Sequence, residues 1–150
     1  ISATDSHLLV VGRDKTEHQN QQLAHSRGCE QRVHCVGMQS QTLPFYQLAD
    51  GLLLPTLYDP FPNVILEAMA CGLPVITSTH CGGAEFIRPG ENGFVTDALD
   101  IPALILAIKS LPANGPDSPM GQQARQTILP YTPAHLSEQL FRLYEKLLSA

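Results

Sequence analysis

Two carboxylates, Asp59 and Glu67, stand eight residues apart in Asp59-Pro60-Phe61-Pro62-Asn63-Val64-Ile65-Leu66-Glu67. Pro60 and Pro62 stiffen the segment between them and place Asp59 in a loop, with Glu67 in the second turn of the helix that follows. Pro62 has no N–H, so it fits the helix entry and cannot donate, whereas Asn63, Val64 and Ile65 bring amide N–H groups that no helical carbonyl reaches. A helix N-terminus holds anions, and carboxylates on either side of it accept hydrogen bonds from hydroxyls. A ligand carrying both phosphates and a diol suits that arrangement.

Each acid also has a plainer use. Glu67 is set among Val64, Ile65, Leu66, Ala68, Met69 and Ala70, a helix that reads as packed nearly all round. A carboxylate there needs an internal partner or an opening onto a cleft. It serves either a salt bridge or cap-like contact, or a vicinal diol. Asp59-Pro60 is by itself common turn chemistry.

The surrounding elements are those that would hold such a site at the end of a parallel sheet. His7-Leu8-Leu9-Val10-Val11 is a continuous apolar run closed by Gly12, as in a strand buried on both faces. A polar helix from Thr16 to Arg27 follows, ending at Gly28, then a strand Arg32–Val36 stopped by Gly37. Leu43–Ala49 has helical spacing, with Leu43, Tyr46 and Leu48 able to face a core. Gly51–Pro55 is a third strand, and its carboxyl end runs straight into the Asp59 loop. Beyond Gly72 come a strand Val75–Ser78, a tight turn and short helix over Gly82–Ile87, a turn at Pro89–Gly93, and a strand Phe94–Thr96.

Asp100 can cap a helix reaching about Leu111, with Ile101, Leu104, Ile105 and Ile108 on one face. A loop over Pro112–Pro119 and helices over Met120–Leu129 and Pro133–Leu148 complete the chain. Strands alternating with helices, without hairpin signals, predict an α/β fold, a Rossmann-like parallel sheet with helices on both faces. Ligands in such sheets bind beyond the carboxyl ends of the strands.

The 150 residues suit one domain, 1–150, with a real core. Nine Lys and Arg against fourteen Asp and Glu, a net charge of -5, argue against nucleic acid as a partner and weakly against an anionic membrane surface. No apolar run reaches the roughly 18 residues of a membrane span, and no signal-peptide pattern opens the chain. Cys29, Cys35, Cys71 and Cys81 form no C-x-x-C pair, and the six His make no ligand cluster, so reduced thiols, a cytoplasmic location and no bound metal are expected. His80 beside Cys81 reads as loop chemistry. Ile1-Ser2-Ala3-Thr4-Asp5-Ser6 leads almost directly into a strand, which reads as a piece cut from a longer protein.

Asp59-Pro-Phe-Pro-Asn-Val-Ile-Leu-Glu67, with the following Ala-Met-Ala-Cys-Gly-Leu-Pro-Val-Ile, resembles the glutamate-x7-glutamate signature of retaining GT-B glycosyltransferases, the family 4 or group 1 enzymes. The resemblance runs from Leu9-Val10-Val11-Gly12 through Gly82-Gly83-Ala84-Glu85-Phe86-Ile87 to Pro89-Gly90-Glu91-Asn92-Gly93-Phe94-Val95, nearly the whole chain. Its wording also resembles bacterial members that build lipopolysaccharide core and other surface polysaccharides.

The resemblance implies the C-terminal, donor-binding half of a GT-B fold, with the N-terminal acceptor-binding domain lying outside the chain. It makes Asp59 and Glu67 the catalytic-site pair, neither of them a general acid or base. Glu67 would hold the ribose hydroxyls of a sugar nucleotide, and Asp59 the hydroxyls of the donor sugar. Asp59 is one methylene shorter than the family's usual Glu. Phe61, Pro62 and Asn63 would lie along the sugar, the amides of Val64 and Ile65 would meet the diphosphate, and Gly37 and Met38 would pack against the base.

The implied reaction is transfer with retention from a nucleoside diphosphate sugar, a UDP-hexose by the family's commonest choice, without a cofactor or metal. Donors and cations stabilise the leaving diphosphate instead. The implied acceptor is a glycan or glycolipid, and peripheral membrane association belongs to the full-length protein. The Arg and Lys that the family sets on the diphosphate lie upstream of the first strand, and Arg13 is not their positional match. The chain alone is therefore expected to bind a sugar nucleotide weakly without turning it over.

An alternative is a non-catalytic binding or partner module that kept the fold, for which Asp59 in place of Glu is the positive sign. A dinucleotide oxidoreductase is disfavoured, because Val11-Gly12-Arg13-Asp14 lacks the G-x-G-x-x-G phosphate turn.

Overall fold

A computed structural model of the chain describes residues 5–13 and 17–149. Asp14, and the start of the first helix at Thr16, lie outside the described residues. The chain divides into two compact units, Ile1–Phe45 and Tyr46–Ala150.

The first unit pairs strand β1 (Leu8–Val11) in parallel with β2 (Val33–Gly37), Leu8 opposite Val33 and Val10 opposite Cys35. Helix α1 (Glu17–Ser26) connects them. It stops where the sequence says, at Gly28 with φ +62°, a left-handed backbone that glycine takes without a side-chain clash. The Cys29 amide then reaches back to the Ala24 carbonyl (3.0 Å) and the Gly28 amide to that of His25 (2.9 Å), closing the helix end. A short 3₁₀ turn, Glu30–Arg32, takes Arg32, which the sequence reads as the first residue of the strand, so that β2 begins at Val33.

Helix α2 (Leu43–Leu48) spans the junction of the units. Of its three expected core residues only Tyr46 is half-buried, while Leu43 and Leu48 are exposed. Six residues make under two turns, too few for one stripe to bury all three.

In the second unit β3 (Leu52–Leu54), β4 (Val75–Ser78) and β5 (Gly93–Thr96) form a parallel sheet with β4 at its centre. The backbone ladders are thus two, β1-β2 and β3-β4-β5, where the sequence suggests one sheet. Every residue of β4 is buried, which is why its sequence shows no polar alternation.

Successive residues point to opposite faces. Leu52, Leu54, Val75 and Val95 join the cluster made with helices α3 (Asn63–Ala70) and α5 (Pro119–Ile128). Leu53, Ile76 and Phe94 join that made with α4 (Ile101–Lys109). Helices therefore cover both faces, as expected. Full burial of Ile65, Met69, Leu73 and Ile76 contributes roughly 1.5–3 kcal/mol for each side chain.

Asp100 caps α4 by accepting from the Ala103 amide (3.0 Å). Ile101 is exposed, and the buried stripe of α4 is instead Leu104 and Ala107, with Ile108 and Leu111 half-buried. The expected loop after α4 contains a 3₁₀ turn, Gly115–Asp117. Helix α6 (Pro133–Leu148) is capped by Thr132, and none of its residues is buried. No helix among the described residues is long and apolar enough to cross a membrane.

Two buried hydroxyls at the end of β4 set the direction of the chain leaving β3. Thr77 Oγ1 donates to the Leu54 carbonyl (3.1 Å), and Ser78 Oγ donates to that of Thr56. Each is fully buried and satisfied, worth about 1 kcal/mol. Together they hold the start of the segment that carries Asp59.

Candidate functional site

The segment after β3 is pinned from the turn after β4. The Asp59 amide donates to the His80 carbonyl (3.2 Å), and the Gly82 amide donates to the Asp59 carbonyl (2.9 Å). The approach is so close that a Cβ on Gly82 would stand 1.8 Å from the Pro60 oxygen, and one on Gly83 would stand 2.5 Å from Ile65 Cδ1. Gly82-Gly83 is thus required for packing against the site loop, a tighter constraint than the turn read from sequence. The half-buried Asp59 side chain accepts from the Phe61 amide (3.2 Å), the local turn contact that Asp-Pro commonly makes. That contact uses Oδ1 and leaves Oδ2 without a described hydrogen bond.

Phe61 is 46% exposed and sets its edge against Phe86, with centroids 5.9 Å apart. Pro62 takes the N-cap position of α3 with φ -75° and extended ψ, the geometry its ring prefers. Among the described residues the amides of Asn63 and Val64 have no acceptor. The Ile65 amide differs from expectation: it donates to the Pro62 carbonyl (3.2 Å), so it is not available to a ligand. The tight first turn brings that carbonyl within reach.

Glu67 lies one turn beyond Asn63, about 6 Å along the axis and on the same side. Asn63, Val64, Glu67 and Ala70 are all exposed, while Ile65, Ala68 and Met69 are buried. Helix α3 is therefore open on one face. Composition hid this because Val64 and Ala70, both apolar, stand on the open side.

Glu67 does have a partner, which spacing could not reveal. Tyr46, 21 residues earlier on α2, donates its hydroxyl to Glu67 Oε2 at 2.9 Å. Burial, and then the hydrogen bond and negative charge of Glu67, push the Tyr46 phenol up, so it stays protonated and remains a donor. Glu67 Oε1 carries no described hydrogen bond. A carboxylate fixed on one oxygen and open on the other is suited to accept from a ligand hydroxyl.

Cys71 follows at the end of α3. Burial pushes its thiol up, outweighing the lowering by Arg125, with Glu67 adding to the rise, so it is a poor thiolate. Cys29 and Cys81 are buried thiols without disulfide partners.

Gly37 and Met38 stand in the first unit. Gly37 closes β2 with φ +69°, and the exposed Met38 accepts at Sδ from Arg13 Nη2 (3.9 Å). A cavity of about 540 Å³ opens in the second unit beside the amino end of β5, lined by Gly90, Glu91, Ser110 and Ser118 among others. None of the candidate residues borders it.

A family model for glycosyl transferases group 1 matches residues 1–114. The chain belongs to the group 1 glycosyltransferases. Among curated relatives of this glycosyltransferase, the lipopolysaccharide core biosynthesis glycosyltransferase LpsE of Rhizobium meliloti is 30% identical over 132 residues, 81% of the chain and 39% of that protein. The N-acetyl-alpha-D-glucosaminyl L-malate synthase of Bacillus anthracis is 30% identical over 129 residues, 85% of the chain and 34% of that protein.

Among solved structures, sucrose-phosphate synthase from Thermosynechococcus elongatus superposes with a TM-score of 0.81 at 28% identity, over 95% of the chain and 39% of that structure. The glycosyltransferase chain thus spans less than half the length of these relatives. The likeness bears out the GT-B reading of the fold.

Proposed function

We propose that the chain is the donor-binding part of a retaining glycosyltransferase. It takes a nucleoside diphosphate sugar, a UDP-hexose by preference, and the whole protein passes the hexose to a glycan or lipopolysaccharide-type acceptor. The observation that carries this reading is the composition of one open face. Two unpaired amides at the start of α3 stand one turn from a carboxylate whose second oxygen is held by Tyr46.

The amides of Asn63 and Val64 suit the diphosphate, where negative charge grows as the glycosidic bond breaks. Glu67 suits the ribose diol, through the oxygen that Tyr46 leaves open. Asp59, tied to the turn after β4, suits the donor-sugar hydroxyls, with a side chain one methylene shorter than the family's usual Glu. No metal is required in this scheme, since backbone donors meet the diphosphate. Gly37 and Met38 are proposed to border the base. The acceptor is read by the rest of the protein, and reaction at the cytoplasmic side, with peripheral membrane contact outside this chain, completes the proposal. LpsE acts in lipopolysaccharide core biosynthesis by its name, which favours that acceptor class.

Calorimetric titration of the full-length protein with UDP-, GDP- and ADP-hexoses tests the reading. UDP-hexose binds the parent, and Glu67→Ala lowers its affinity by at least about tenfold, the scale of a lost charge-assisted hydrogen bond. Unchanged binding in Glu67→Ala refutes the assignment.

A further inference from the structure

Phe61, Phe86 and Tyr131 form a chain of three rings that joins the Asp59 loop to the connection between α5 and α6. Phe61 meets Phe86 edge-on at 5.9 Å and 76°, and Phe86 meets Tyr131 at 5.0 Å and 85°. These separations and angles are those at which ring edges and faces attract. The middle ring is carried by a fixed backbone. Asn92, fully buried, donates from Nδ2 to the Phe86 carbonyl (2.9 Å) and to Thr127 Oγ1 (3.1 Å), and accepts at Oδ1 from the Arg88 amide (2.7 Å). The far ring is seated as well, because the Tyr131 amide donates to the Ile128 carbonyl (2.9 Å) at the end of α5. At the near end, the Phe61 amide is the group that holds the Asp59 carboxylate (3.2 Å).

We propose that Tyr131 is a positioning residue for Asp59, acting through Phe86 and Phe61, and so tunes recognition of the donor sugar rather than of the nucleotide. This rests on the reading of Asp59 as the sugar-side acid. Phe61 is nearly half exposed, and Phe86 is the ring that meets it among the described residues. Tyr131 presses on Phe86 at almost a right angle and limits the directions in which that ring can tilt. When Tyr131 is removed, Phe86 and then Phe61 gain freedom, and the Phe61 amide no longer fixes Asp59 Oδ1. Glu67 is held by a different contact, from Tyr46, which forms no ring pair with Phe61, Phe86 or Tyr131 among the described residues. The two halves of the donor are therefore separable.

The test uses the full-length protein with a fluorinated phenylalanine placed at position 61, in the parent, in Tyr131→Leu and in Tyr131→Phe. Tyr131→Leu shifts the fluorine resonance and weakens UDP-hexose binding about threefold to tenfold, the range of one lost aromatic contact. It leaves the affinity for UDP alone unchanged, and Tyr131→Phe, which keeps the ring, restores both readouts. An unmoved fluorine resonance in Tyr131→Leu overturns the coupling. Equal weakening of UDP and UDP-hexose overturns the positioning role and assigns Tyr131 to general packing. A parent protein that binds no sugar nucleotide fails before any variant is compared. It overturns the functional reading and the sugar-side role with it, while the fluorine shift still decides whether the rings are coupled.

Discussion

Replacing Gly82 by alanine tests whether the turn after β4 holds the site loop. The added Cβ would stand 1.8 Å from the Pro60 carbonyl oxygen and 2.8 Å from its carbon, both backbone atoms that cannot swing aside. Ordinary contact needs about 3 Å or more, so the two segments must part by over about 1 Å. Parting breaks the Gly82-to-Asp59 hydrogen bond (2.9 Å) and loosens the Asp59-to-His80 one (3.2 Å). At about 1 kcal/mol for each bond, with some lost packing of Gly83 on Ile65, the expected destabilisation is about 2–3 kcal/mol. Gly90→Ala is the control. Gly90 has φ +81° and open space around it, so only backbone strain of about 1 kcal/mol applies. Urea unfolding of both variants gives the comparison, and UDP-hexose affinity is measured in parallel. If Gly82→Ala unfolds within about 0.5 kcal/mol of the parent, or at no lower urea concentration than Gly90→Ala, the close approach does not hold the loop.

Tyr46→Phe removes the donor to Glu67. In the parent, phenolate absorbance from one tyrosine is delayed beyond the ordinary value of about 10, and the variant lacks that late step. The sign follows from linkage: the folded chain keeps its proton where the unfolded chain loses it, so this contribution is present below about pH 10 and declines as pH rises above it. A parent alkaline titration without a delayed component counts against the contact. Asn92→Ala removes a fully buried side chain, leaves the part-buried Phe86 carbonyl and Arg88 amide without that partner, and costs about 2–4 kcal/mol in urea unfolding; a loss under about 1 kcal/mol contradicts its anchoring role. Ser118→Ala removes the buried cap of α5, which accepts from the Gly121 amide (3.0 Å), and costs more than Asp100→Ala at the exposed cap of α4. Values of about 1–2 and 0.5–1 kcal/mol are expected, and the reverse order refutes burial as the reason.

The sequence exposes most of what local chemistry decides. Asp100 announces a helix start, Gly28 an end, and Val75–Ser78 a strand. What it conceals depends on contacts between distant residues. Tyr46 and Glu67 are 21 positions apart, and nothing in their spacing predicts that one holds the other. Helix α3 is written in apolar letters, yet Val64 and Ala70 face outward, so periodicity gave no sign of the open side. Ile65 was equally plausible as an amide donor until the first turn of the helix directed it to Pro62. The three rings at 61, 86 and 131 belong to separate elements, and only packing joins them.

Helix α6 behaves differently from the rest of the second unit. Its sixteen residues are all exposed, and what secures it is its own Thr132 cap, the Arg142–Glu138 pair at 2.6 Å and the His135–Gln139 contact at 2.9 Å. A helix of that length resting on local bonds is marginal in water. Its amide hydrogens therefore exchange with solvent through a local opening, well before those of β4. Heating removes its circular dichroism gradually, ahead of the sharp step of the core. For this chain, one melting temperature describes the sheet and its packed helices but not the last sixteen-residue helix.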